Sequence, residues 1–181
     1  MSKVKVLLFD IETKPVKFWA WRTGEQYMRH DQIVAGEKFD IICICYRWAH
    51  EKKVYALSWD KQQSSARMID DFVKVLETAD VVIGHNSDSF DVKQVNTQRM
   101  LHKQPPIAWP TQEDTRKQIK KHFYVTSSSL AYMSQLLGGR TKDTSMNFQD
   151  WVDIVDGHDA KKLSKMITYC KRDVDALYDM W

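Results

Sequence analysis

Val4-Lys5-Val6-Leu7-Leu8-Phe9-Asp10-Ile11-Glu12-Thr13 is the stretch from which the rest of the chain is read. An almost unbroken run of β-favouring apolar residues that ends in polar ones predicts a buried strand over residues 4–13. Alternate residues of a strand share a face. Asp10 and Glu12 therefore point the same way, on the face that carries Val4, Val6 and Leu8. Two carboxylates side by side at the end of a buried strand repel each other and lose hydration. Hard divalent ions bound through oxygen would offset that charge. The alternative is a strand edge at which both acids face water, so the remaining residues must decide.

Outward from this strand, residues 14–38 form a long connection punctuated by Pro15, Gly24 and Gly36. Phe18, Trp19, Trp21 and Tyr27 stand there among Arg22, Arg29 and His30. Aromatics interleaved with bases can stack on nucleobases, or they can cover an open face of the sheet. Residues 39–48 and 53–59 are β-rich runs separated by a charged turn, and with the first strand they predict an antiparallel meander. Residues 64–78 carry Met68, Ile69, Phe72, Val73, Val75 and Leu76 at helical spacing, with Ser64 or Ser65 as N-cap. Residues 80–84 are a short buried strand. Strand, helix, strand in that order predicts a crossover to a parallel partner.

A polar loop, Gly84 to Asp91, then enters a helix bearing Val92, Val95 and Leu101. The carboxyl end of a parallel strand leading into a helix is where open α/β sheets place ligands, although Asp91 alone could be a first-turn acid favoured by the helix dipole. Residues 105–110 break the chain. Residues 114–124 predict a basic helix with Arg116, Lys117, Lys120, Lys121 and His122, the densest positive patch and the best candidate to track phosphates. Residues 126–129 cap a helix that runs to Leu137 and stops at Gly138-Gly139. Residues 140–146 predict a polar loop and residues 148–155 a short helix or turn with Trp151. Residues 160–181 form a long amphipathic helix with Leu163, Met166, Ile167, Cys170, Val174, Leu177 and Trp181 as its apolar stripe. Tyr169 and Asp173 lie one turn apart on its flank. Asp175 and Asp179 fall off that flank, towards solvent.

The chain has 181 residues, enough for one domain with its own core. Its 27 basic and 24 acidic residues leave a net charge of +3, too little to imply a nucleic-acid partner by itself. Three cysteines, with Cys43 and Cys45 two apart, form neither a disulfide framework nor a linear zinc motif. No stretch is apolar enough to span a membrane, and no signal peptide is visible. These features set the expectation of a soluble protein of the cytoplasm.

Phe9-Asp10-Ile11-Glu12-Thr13, Asn86-Ser87-Asp88-Ser89-Phe90-Asp91 and Tyr169-Cys170-Lys171-Arg172-Asp173 resemble, in order, the three motifs of the DEDD 3′–5′ exonucleases. The resemblance covers essentially the whole chain. It implies a ribonuclease H-like α/β fold, a mixed five-stranded sheet flanked by helices. A tyrosine four residues before the last aspartate resembles the tyrosine subclass, as in the proofreading domains of family B DNA polymerases. The histidine subclass would carry its His where this chain has Thr168. A tryptophan-bearing insertion over residues 19–32, the run Asn96-Thr97-Gln98-Arg99 and the pair Asp114-Thr115 are similar to stand-alone relatives from bacteria and phages. No polymerase-like segment follows, so the expectation is an enzyme that does not proofread within its own chain, in a bacterial or phage-infected cell.

The resemblance also assigns roles. Two Mg²⁺ or Mn²⁺ ions about 4 Å apart would activate water and stabilise the leaving oxygen. Asp10 would bridge them, Glu12 and Asp173 would hold the ion that activates water, and Asp91 would support the second. Tyr169 would orient the water, since an unperturbed phenol has a pKa of about 10. Phe9, Thr13 and Asn86 would contact the terminal nucleotide, and Lys117 and Lys121 the phosphates of a single strand or frayed 3′ end. His85 reads as a hydrogen-bonding loop residue, and Asp88 is the rival to Asp91. DNA is the expected substrate. An exoribonuclease on the same scaffold and a catalytically idle nucleic-acid-binding module are the alternatives.

Overall fold

The computed structural model describes residues 4–140 and 146–181, so most of the loop expected at 140–146 lies outside the described residues. The opening run forms β1 (Val6–Thr13), the middle strand of a five-stranded sheet ordered β3-β2-β1-β4-β5. On one side β1 pairs antiparallel with β2 (Ile41–Trp48), which pairs antiparallel with β3 (Val54–Ser58). On the other it pairs parallel with β4 (Val81–Gly84), and β4 pairs parallel with β5 (Thr111–Asp114). The expected mixed α/β sheet is present. Its fifth strand has no apolar run to mark it: Thr111, Gln112 and Glu113 are all exposed at the sheet edge.

The period-2 alternation of β1 sorts its side chains between two cores. Leu8 packs with Cys43, Cys45, Met166, Cys170 and Leu177 beneath α6 (Ala160–Met180). The short helices α4 (Leu130–Leu136) and α5 (Phe148–Val155) pack on α6. Leu7, Phe9 and Ile11 pack on the opposite face with Phe72, Leu76 and Val95, from α1 (Ala66–Leu76) and α2 (Asp91–Leu101). The remaining helix, α3 (Thr115–His122), follows β5. Each fully buried Leu, Ile or Phe in these clusters contributes about 1.5–3 kcal/mol. Among the described residues, no helix is long and apolar enough to cross a membrane.

Four expectations need correction. Trp181 belongs to the apolar stripe by spacing but is 52% exposed, because it follows the last residue of α6. Asp175 is half-buried, not in solvent: the buried Arg47 of β2 reaches it at 2.8 Å, and a buried guanidinium requires a counter-charge. Arg140 adds a second ion pair to Asp175 at 2.9 Å. Ser65 occupies the N-cap of α1, yet its hydroxyl donates to the buried Asp40 carboxylate and does not cap. Finally, the aromatics of residues 14–38 do not cover the sheet. Trp19, Trp21 and Tyr27 are 76%, 99% and 94% exposed, on an arm closed by the Phe18–Ile33 bridge.

Candidate active site

The register of β1 creates the crevice. Its pairing with β4 stops at Leu8↔Ile83, while its pairing with β2 continues to Thr13↔Ile41. Past Leu8, the β4 side of β1 therefore has no strand beside it. Asp10 and Glu12 stand in this unpartnered half, both half-buried. This is the carboxyl end of parallel strands, the usual ligand position in such sheets. Across the ladder Asp10 faces Cys45 and Glu12 faces Cys43. An oxygen of Asp10, an oxygen of Glu12 and the sulfur of Cys170 all lie within 4.8 Å of one another. The Cys170 thiol donates to the Asp10 carbonyl at 3.5 Å and reaches its Oδ2 at 3.7 Å.

Helix α6 brings the third motif to this place. Asp173 is buried, at 3% exposure, and Tyr169 is half-buried with its ring edge-on to Trp151, centroids 6.2 Å apart. Trp151 is held there because α5 is tied to α6 by ion pairs. Asp150 accepts from Lys165 at 3.0 Å and pairs with Lys162 at 3.2 Å. The Lys165 hydrogen bond, with the Asn147 amide and Lys162, holds the Asp150 carboxyl down at about 2. This support for the tyrosine is invisible in the sequence, since nothing local links residue 151 to 169.

From the other face α2 presents Asp91 in its first turn, only 5% exposed. The backbone amides of Asp91 itself and of Ile11 in β1 favour the charged carboxylate. Burial nevertheless dominates and pushes its pKa up to about 7, with the nearby Asp114 adding to the rise. Asp91 and Asp173 are not members of the compact Asp10–Glu12–Cys170 group; they stand on helices packed against opposite faces of β1.

The loop between β4 and α2 is clamped by Asp114, a residue with a larger role than its sequence position suggests. Its buried carboxylate accepts from the amides of Asn86 (2.9 Å) and Asp88 (3.2 Å) and caps α3 at Arg116 and Lys117. Gly84 permits the tight approach, because a Cβ there would sit 2.4 Å from Ser87 Cβ. Asn86 adopts φ 68°, a left-handed conformation that Asn tolerates. Its Oδ1 accepts from Arg116 at 3.0 Å. His85 is bonded on both ring nitrogens, to Thr115 Oγ1 and the Ser128 carbonyl, each at 2.9 Å.

Asp88, the rival acid, is engaged by Lys117 at 2.6 Å. That bond raises the Lys117 pKa and commits its ammonium to the loop. Lys121 is exposed on the same helix. Thr13 lines a cleft of about 400 Å³ with Lys14, Phe39, Asn147, Phe148 and Trp151. Phe9 does not belong to a nucleotide-contacting set. Its side chain has the opposite parity to Asp10, is 1% exposed, and stacks in the core on Phe72 and Trp109, centroids 5.4 and 6.0 Å away.

The donors fit a hard divalent cation. Clustered carboxylate oxygens, held half-buried by a rigid strand, are the ligand type that Mg²⁺ and Mn²⁺ prefer. The one soft donor in the group is Cys170.

A family model described as RNase_H_2, of the RNase_H superfamily, matches residues 30–181. No curated protein matches the sequence. Among solved structures, the family B DNA polymerase from the hyperthermophilic archaeon Pyrobaculum calidifontis is similar over 99% of this chain, with a TM-score of 0.73 and 14% identity. The chain spans 24% of that polymerase's length. At such identity the likeness speaks for fold alone. It covers β1, which the family match, starting at residue 30, leaves out.

Proposed function

From the premise that this chain belongs to the RNase H superfamily, we propose that it is a metal-dependent 3′–5′ exonuclease of the tyrosine subclass, removing nucleoside monophosphates from DNA 3′ ends. One observation carries the reading. Cys170, between Tyr169 and Asp173 in sequence, has its sulfur 3.7 Å from Asp10 Oδ2, so the segment bearing the third motif crosses directly over the first. Two stretches far apart in sequence thus meet on the open half of β1, while the helix that begins at Asp91 packs on the strand's other face.

Bound at these acids, Mg²⁺ or Mn²⁺ would supply Lewis acidity to the phosphate and activate water. Asp10, Glu12 and Asp173 would hold the ions, with Asp91 supporting the second. In the reaction a water oxygen bonds to phosphorus, the P–O3′ bond breaks, and a proton passes to the leaving 3′ oxygen. Tyr169, its ring braced by Trp151, would orient the water. The cleft beside Thr13 would receive the terminal nucleotide. Lys121 would meet the trailing phosphates, and Asn86 in its clamped loop would position the end.

The test uses DNA and RNA oligonucleotides labelled at either end, with Mg²⁺ or Mn²⁺, and compares the native chain with Asp10→Ala. A ladder descending from the 3′ end of DNA is expected, slowed at least about 10³-fold in the variant, since losing even one transition-state donor costs ~10²–10³. A ladder on RNA alone would transfer the substrate to RNA. Binding with no cleavage would leave only a nucleic-acid-binding module.

A further inference from the structure

The acid site backs onto donors of a different chemical kind. Cys43 and Cys45 lie two residues apart on one face of β2, opposite Glu12 and Asp10, and Cys170 comes down on them from α6. All three are free thiols at 0% exposure, and their sulfurs lie within 4.8 Å of one another. No linear motif announces this trio, because two members come from a strand and the third from a helix more than a hundred residues later. We propose that Cys43, Cys45 and Cys170 form a binding site for a thiophilic divalent ion such as Zn²⁺ or Cd²⁺, with the Asp10 carboxylate as fourth ligand.

The thiol trio needs little adjustment, whereas Asp10, which is close to Cys170 but outside the trio, must swing in. Sulfurs about 2.3 Å from a tetrahedral ion stand roughly 3.8 Å apart, so the trio closes by no more than about 1 Å. Strand and helix, not loops, carry the ligands. Asp10 Oδ2 is already 3.7 Å from the Cys170 sulfur. Entry is through the acids: Cys170 is shared between the thiol trio and the Asp10–Glu12 group, whose carboxylates are half-buried. An ion arriving at the oxygens sorts by softness there. Mg²⁺ stays with oxygen, whereas Zn²⁺ and Cd²⁺ pass on to sulfur, each bound thiol releasing its proton to solvent. Occupancy turns Asp10 towards the sulfurs and withdraws it from the hydrolytic set. This inhibitory consequence rests on the proposed exonuclease reading; the binding itself does not.

The chain, kept reduced with a phosphine, is titrated with Cd²⁺ in excess Mg²⁺ while thiolate-to-cadmium charge-transfer absorption is followed in the ultraviolet. The expected result is saturation at one ion per chain, with a band whose height falls by about a third in Cys43→Ala or in Cys45→Ala. Each substitution should weaken binding by more than about 10-fold, the least that losing even a ligand's supporting partner costs. Cd²⁺ should also stop 3′ cleavage in a way that added Mg²⁺ does not reverse, and the double alanine variant should need at least about 10-fold more Cd²⁺ for the same effect. No thiolate band in the native chain, or an equal band and affinity in the double variant, would overturn the site. Because the band is read without substrate, failure of the nuclease reading leaves this result standing.

Discussion

The two faces of β1 divide the packed core from the proposed chemistry. Towards α1 and α2 the strand turns Leu7, Phe9 and Ile11, all 5% exposed or less, into a core of aromatics and aliphatics. Towards α6 it turns Leu8 into a core as dry, but two residues on it presents Asp10 and Glu12 among three thiols. The same eight residues build both, because each step along a strand reverses the face. A polar group on the first face would be buried without partners; on the second, the end of β4 leaves room for ligands. The proposed chemistry sits where the sheet runs out of strand, not where the chain runs out of hydrophobicity.

The largest effect separating the faces should come from Phe9→Ala. It deletes a buried ring that touches Phe72 and Trp109 and should cost about 3–5 kcal/mol of unfolding free energy. Urea denaturation gives the stability, and active-site titration gives the rate per folded molecule, which should stay near native. A rate per folded molecule that falls together with stability would erase the division. Next is Tyr169→Phe, on the other face. A tyrosine that orients water without transferring a proton should be worth less than the 10²–10⁴ of positioned acid–base catalysis. We expect kcat to fall about 10–10²-fold, or ~1.4–2.7 kcal/mol, with the denaturation midpoint almost unmoved. A larger loss would make the phenol a proton carrier.

What could be read in the sequence follows the same division. Long signals with a fixed period were legible: β1, α1 and α6, whereas residues 148–155, open between a short helix and a turn, form the helix α5. The candidate acids Asp10, Glu12, Asp91 and Asp173, with Tyr169, can be picked out because each sits inside a local pattern. What escaped was tertiary. β5 is too polar to announce itself, and Asp114 acts through amides of a loop nearly thirty residues earlier. Trp151 meets Tyr169 only once α5 has folded back, and Cys170 joins Cys43 and Cys45 only once α6 covers the sheet. Phe9 is the instructive error. Strand parity alone places its side chain opposite Asp10, in the core with Phe72.

The last effect tests the acid that stands between the faces. Asp91 is buried at the rim of the apolar side, where its pKa is pushed up to about 7 while an unfolded aspartate titrates near 3.9. Without divalent ions the folded chain therefore holds a proton there that the unfolded chain has lost, and stability falls with rising pH across that window. The stabilising advantage of the neutral buried carboxyl is full below the unfolded value and is gone once pH has risen through about 7. Asp91→Asn cannot titrate, so it should match the native chain near pH 4 and exceed it above pH 7 by about 3–4 kcal/mol. Thermal melts of both chains in chelator measure that widening gap. Added Mg²⁺ or Mn²⁺ should then close it by stabilising the native chain alone, because only a carboxylate offers the ion a charged oxygen. A gap that stays flat from pH 4 to 8 would mean the Ile11 and Asp91 amides already keep the carboxylate ionised. A gap that metal leaves untouched would place Asp91 with the apolar face, as a residue of the fold and not of the chemistry.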